Sequence, residues 1–126
     1  MSLSIINRQG ACKPLTAVGS TGSLKIGAGV VSVASNEAPA EMVQIIELCE
    51  KGDFASARKL HHWLLPLIQV NFVESNPIPC KAAMAAMGLL DEVYRLPLVP
   101  PSQGARDKVM AVLQQLRLMG AAARAS

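Results

Sequence analysis

From Pro39 to Gly120 the sequence is patterned as a series of helices. Ahead of them one apolar run, Val30-Val31-Ser32-Val33, has the character of a buried strand. The run is rich in β-branched residues and bounded by Gly29 and Asn36. Its near-continuous apolarity fits a strand covered on both faces, as in a parallel sheet. Pro14-Leu15-Thr16-Ala17-Val18 is a second candidate for a short strand. A strand at the front of a helical array has unsatisfied edges. The expected fold class is mainly α, with one or two strands poorly provided with neighbours.

The helical punctuation is explicit. Pro39 suits a first helical position, Glu41 sits well in a first turn, and Met42, Ile45, Ile46 and Cys49 recur at helical spacing. Gly52 supplies a left-handed stop, and Asp53 caps a second helix whose stripe is Leu60, Trp63, Leu64, Leu67 and Ile68. Pro66 lies inside that stripe and should kink the helix, because it removes a backbone donor. Asn76-Pro77 reads as a cap followed by proline at the first position, opening a third helix through Ala82, Ala83 and Met87 to Gly88. Leu96-Pro97-Leu98-Val99-Pro100-Pro101 should be extended, since residues before proline avoid the helical region. Ser102 caps the last helix, with Val109, Val112, Leu113 and Leu116 as its stripe and Gly120 as its end. Residues 1–28 form a poorly patterned Gly/Ser-rich segment, residues 29–120 the strand and helical region, and residues 121–126 a frayed tail.

Composition narrows the function classes. The chain has 126 residues, 51% hydrophobic but only 3% aromatic and 17% charged, against roughly 25% charged in an average soluble domain. A short, apolar, weakly charged chain has more greasy surface than it can bury alone. This points to a covering surface from another subunit or from the rest of the fold. The alternative is an Ala-rich helical domain with small core residues. Arg106, Lys108, Arg117 and Arg124 cluster near the end, but without interleaved aromatics they suit a helix dipole better than a nucleic acid. No nucleic-acid partner is expected. Cys12, Cys49 and Cys80 are too few and too scattered for a disulfide framework or a zinc site, which fits a reducing cytoplasm. No charged segment leads into an apolar run at the start, so no signal peptide is expected. No apolar run reaches about 18 residues, so no membrane span is expected either.

Several residues taken together resemble a known family. Gly29-Val30-Val31-Ser32-Val33-Ala34-Ser35-Asn36 resembles the last barrel strand and following loop of the dihydrodipicolinate synthase and N-acetylneuraminate lyase family. Lys51-Gly52-Asp53-Phe54 with Ala57-Arg58 resembles its helix junction. Phe72-Val73-Glu74-Ser75-Asn76-Pro77-Ile78-Pro79-Cys80-Lys81 resembles its most distinctive carboxyl-terminal signature. Gly88-Leu89 and Arg95-Leu96-Pro97-Leu98 follow in the expected order. The match runs from about Gly29 to Leu118 and is closer to the synthase branch. It implies the last strand and carboxyl-terminal helices of a (β/α)8 TIM-barrel lyase, with the barrel incomplete, since a whole one needs roughly 250 residues.

The resemblance also implies a class I aldolase chemistry. A barrel lysine forms a Schiff base with pyruvate, a tyrosine relays protons, and an arginine holds aspartate semialdehyde, in a condensation of lysine biosynthesis. Family members assemble as homotetramers built from dimers. One site position carries over: Val31 matches the aliphatic residue lining the pyruvate pocket. No residue matches the family's Gly-x-x-Gly-Glu, tyrosine-bearing or Gly-Ile-Lys segments. The expectation is a truncated or split member, inactive alone, with no catalytic residue, metal or cofactor of its own. It would associate with itself or dock onto a full-length homologue. The alternative is a non-catalytic helical oligomerisation module.

The remaining candidates have plain readings. Lys25 sits in a Gly/Ser loop and matches no family position, so it reads as a solvated residue rather than a Schiff-base lysine. Tyr94 reads as a packing residue. His61 and His62 are adjacent, diverge by about 100° on a helix, and are expected to face solvent rather than a metal. Gly19, Gly22 and Lys25 lack Walker spacing, and Gly27-Ala28-Gly29 lacks the third glycine of a dinucleotide fingerprint. Met42, Met84, Met87, Met110 and Met119 read as core filling.

Overall fold

The computed structural model describes residues 2–6, 12–16 and 31–119. The expectations at Ala17, Val18, Gly19, Gly22, Lys25, Gly27, Ala28, Gly29, Val30 and Gly120, and the tail at 121–126, lie outside the described residues. The chain divides into two compact units, Met1–Trp63 and Leu64–Ser126.

The first unit begins with a hairpin. Strand β1 (Ser2–Ile6) pairs antiparallel with β2 (Cys12–Thr16), in register from Ser2 opposite Thr16 to Ile6 opposite Cys12. The unpatterned first segment therefore contains two strands, and β2 starts two residues before the strand expected at Pro14. The run read as a strand over Val30–Val33 also ends early. Val31 makes a single β-bridge, and Val33–Asn36 is a turn of 3-10 helix. Local side-chain bonds account for this. Ser35 Oγ donates to the Ser32 carbonyl at 2.5 Å, and the Asn36 amide donates to the Val33 carbonyl at 2.9 Å. Such bonds give the backbone an alternative to a strand ladder.

Helix α1 (Pro39–Glu50) has Pro39 in its first turn and buries Met42, Ile45 and Cys49, while Ile46 is half-buried. It closes as the sequence predicts. Gly52 takes φ +78°, its N–H donates to the Cys49 carbonyl at 3.1 Å, and the Asp53 N–H donates to the Leu48 carbonyl at 2.9 Å. This paired 5→2 and 6→1 bonding is a Schellman motif. Asp53 then caps the next helix by accepting from the Ser56 N–H at 3.0 Å.

Helix α2 (Phe54–Val70) spans the boundary between the two units and runs through Pro66. Its buried stripe is Ala57, His61, Leu64, Leu67 and Ile68. Two expectations are corrected here. Trp63 is 41% exposed and His61 is 5% exposed. The spacing explains both: at 100° per residue the buried arc runs from His61 through Ile68, Ala57 and Leu64 to Leu67, and Trp63 falls just beyond its Leu67 edge. The stripe expected from the sequence included Trp63, but it stands past the edge of the arc that is buried.

The second unit is built on α3 (Ile78–Ala86) and α4 (Gln103–Gln115), which pack together. The N-cap of α3 is Pro77 rather than Asn76, and Ile78, Pro79, Cys80, Ala82 and Ala83 are buried. Gly88 at φ +77° closes α3 with the same pair of bonds, to Ala85 at 3.0 Å and from Leu89 to Met84 at 2.9 Å. The segment expected to be extended contains a turn at Leu96-Pro97, where the Leu98 N–H reaches the Arg95 carbonyl at 2.9 Å. Helix α4 is capped by Ser102, whose hydroxyl accepts from the Ala105 N–H at 3.3 Å. It buries Ala105, Val109 and Leu113, with Val112 half-buried.

Helix α4 ends at Gln115, before the expected stop at Gly120. Arg117 takes the left-handed position at φ 55°, donating to the Gln114 carbonyl at 3.1 Å while Leu118 donates to Leu113 at 2.9 Å. Leu113 and Leu118, the two positions whose apolar side chains usually accompany this motif, are both buried. Met42 and Met87 are buried as core residues, but Met119, past the helix end, is 40% exposed.

Candidate functional site

The residue expected to line a substrate pocket, Val31, stands at the single β-bridge and is 58% exposed. Its neighbours Ser32 and Ala34 are buried.

The densest set of chemistry-bearing side chains lies in the second unit, where the sequence reading did not place a site. It joins the segment 72–81 to the segment 88–106. Glu74 accepts from Ser102 three ways: from its hydroxyl at 2.5 Å, and from its backbone N–H at 3.3 and 3.4 Å to the two carboxylate oxygens. Ser102 is simultaneously the cap of α4, so Glu74 places a negative charge at the positive end of that helix. Seven residues after Glu74, Lys81 Nζ donates to the Val93 carbonyl and lies 5.1 Å from the centroid of the Tyr94 ring. The Tyr94 hydroxyl donates to Glu92 Oε1 at 3.0 Å and lies 3.5 Å from the Ile78 carbonyl. Glu92 in turn holds Arg106 of α4 through two bonds, 2.9 and 2.6 Å.

The electrostatics follow the geometry. The Arg106 guanidinium beside Glu92 holds that carboxyl below its usual range, and Glu92 holds Arg106 above its own. Desolvation, with Glu92 as acceptor, pushes the Tyr94 phenol up to about 12. The cluster thus brings together a lysine, a tyrosine and an arginine. Lys81 is committed to a carbonyl and Arg106 to a bidentate carboxylate. The cluster is a structural joint. It fixes the connecting segment and the start of α4 against the residues that open α3.

His61 is the other buried titratable group of note. Burial lowers its imidazole, with His62 as a further, smaller cause. The two rings stand 5.9 Å apart and nearly perpendicular, at 70°. Among the described residues, no group of three or more His, Cys, Asp and Glu side chains is placed to hold a metal ion. No helix among them is long and apolar enough to cross a membrane.

The segments tied by the joint are the ones that known proteins share. The family model of the dihydrodipicolinate synthetase family matches residues 18–116, which include Val31, the whole joint and all four helices. The chain belongs to the dihydrodipicolinate synthetase family. A 4-hydroxy-tetrahydrodipicolinate synthase of Chloroherpeton thalassium is 44% identical over 99 residues, covering 79% of this chain and 33% of that protein. One from Chlorobium chlorochromatii is 46% identical over 94 residues, covering 75% and 31%. The chain therefore spans about a third of the length of these curated relatives.

Solved structures of the dihydrodipicolinate synthetase family agree. The enzyme of Thermotoga maritima superposes with a TM-score of 0.71 at 42% identity over 73% of this chain and 31% of that one. The enzyme of Aquifex aeolicus does so with 0.76 at 37% identity over 80% and 35%. The mainly α architecture thus corresponds to the carboxyl-terminal part of this family's TIM-barrel fold, about a third of it. The hairpin β1–β2 precedes the matched residues.

Proposed function

We propose that this chain is the carboxyl-terminal third of a 4-hydroxy-tetrahydrodipicolinate synthase-like protein and that it carries no lyase activity by itself. The family reaction condenses pyruvate with aspartate semialdehyde through a lysine Schiff base. The observation that carries the reading is the commitment of the lysine, tyrosine and arginine of the joint to each other's neighbours, in a chain matching a third of its relatives. In this reading Val31 contributes an aliphatic wall to the pyruvate pocket, and its exposure here reflects a pocket whose reactive residues come from earlier barrel strands. The chain associates through its apolar surface, with itself or with an intact homologue.

The test is borohydride reduction of the purified chain in the presence of pyruvate, read by intact mass, with a full-length homologue alongside. The expected result is no adduct on this chain and stoichiometric trapping on the homologue. A stoichiometric adduct on one lysine of this chain would overturn the reading. Docking is checked separately, by titrating the chain into the homologue and following activity and scattering mass; no change at any ratio would remove the docking part and leave the inactivity untouched.

A further inference from the structure

No further inference is drawn: the strongest candidate, the run of exposed apolar side chains at Leu89, Val93, Leu96 and Val99 along the segment between α3 and α4, is an unpartnered surface, and nothing in the structure shows what covers it.

Discussion

Glu74 and Ser102 are 28 residues apart in sequence, yet the carboxylate of one accepts both the hydroxyl proton and the N–H of the other, the shortest contact being 2.5 Å. Ser102 in turn accepts from Ala105, so a single acid organises the cap of α4 from outside the helix. The acid within the family signature thus has a structural task. Hydrogen bonds to a charged group contribute more than neutral ones. Glu74→Ala should destabilise the second unit by about 1–2 kcal/mol, read as a lower denaturation midpoint of the chain. Ser102→Ala should cost a similar amount. The double variant should cost clearly less than the sum, because both changes break one interaction. Full additivity would show that the two residues act separately.

The Glu92–Arg106 pair should contribute modestly. Its side chains are 27% and 34% exposed, so solvent screening limits it to about 1 kcal/mol even with bidentate geometry. The folded Glu92 carboxyl is held below its unfolded value, so its stabilisation is present above the unfolded pKa and is lost as pH falls through the folded one. Stability of the native chain should fall on acidification below about pH 4–5, and Glu92→Gln should flatten that limb while lowering stability at neutral pH. Added salt should shrink the difference between the two proteins. An unchanged acid limb in Glu92→Gln would contradict the pairing.

Tyr94 reports the same joint from the alkaline side. The chain has one tyrosine, so tyrosinate absorbance reads a single group. With the folded phenol at about 12 and an unfolded one near 10, the stabilisation is complete below pH 10 and is lost as pH rises towards 12. The absorbance should titrate near 12 in the folded chain and near 10 in denaturant. Tyr94→Phe should remove the loss of stability over this window. A folded midpoint near 10 would mean that the phenol is neither desolvated nor held by Glu92.

What the sequence made legible is what is local. Pro39, Gly52, Asp53, Gly88 and Ser102 each act within one helical turn of themselves, and the structure uses all five as their chemistry suggests. The family resemblance was likewise carried by contiguous words. The joint was not legible, because Glu92 and Arg106 are 14 residues apart and Lys81 and Val93 are 12 apart, across a segment with no periodicity. On α2 the failure was one of phase. Trp63 outranks His61 in hydrophobicity, but position on the helix decides which is buried, and His61 falls in the stripe of Ala57, Leu64 and Ile68. At Val33 the polar neighbours Ser35 and Asn36 captured carbonyls that an extended strand would have left for a partner.

The burial of His61 has a measurable consequence. Desolvation disfavours its charged form, so its folded pKa lies below 6.5. The unfolded chain then binds the proton first as pH falls through 6.5. Stability linked to this group is present above the unfolded pKa and declines as pH drops towards the folded value. An NMR titration should place the His61 imidazole midpoint below 6.5 in the native chain and return it to about 6.5 in denaturant. A native midpoint at or above 6.5 would show that the ring is solvated or paired with an acid, contrary to its place in the stripe.

The end of α4 offers the sharpest stability test, because it uses the same bonding pattern as the ends of α1 and α3 with a different residue at the critical position. Gly52 and Gly88 hold φ near +78° without steric cost, whereas Arg117 holds φ 55° with a side chain. A left-handed residue bearing a Cβ costs roughly 1–2 kcal/mol, partly regained because a non-glycine residue loses less chain entropy on folding. Arg117→Gly should therefore stabilise the chain by up to about 1 kcal/mol. Gly52→Ala should destabilise it by about the same. At Gly52 a new Cβ would meet nothing within 4 Å, so the loss there would come from the backbone alone. Urea denaturation of the three proteins under one condition decides the matter. Opposite shifts confirm that φ sets the cost at both ends, whereas destabilisation by both substitutions would mean that the Arg117 side chain makes a contact worth more than its strain.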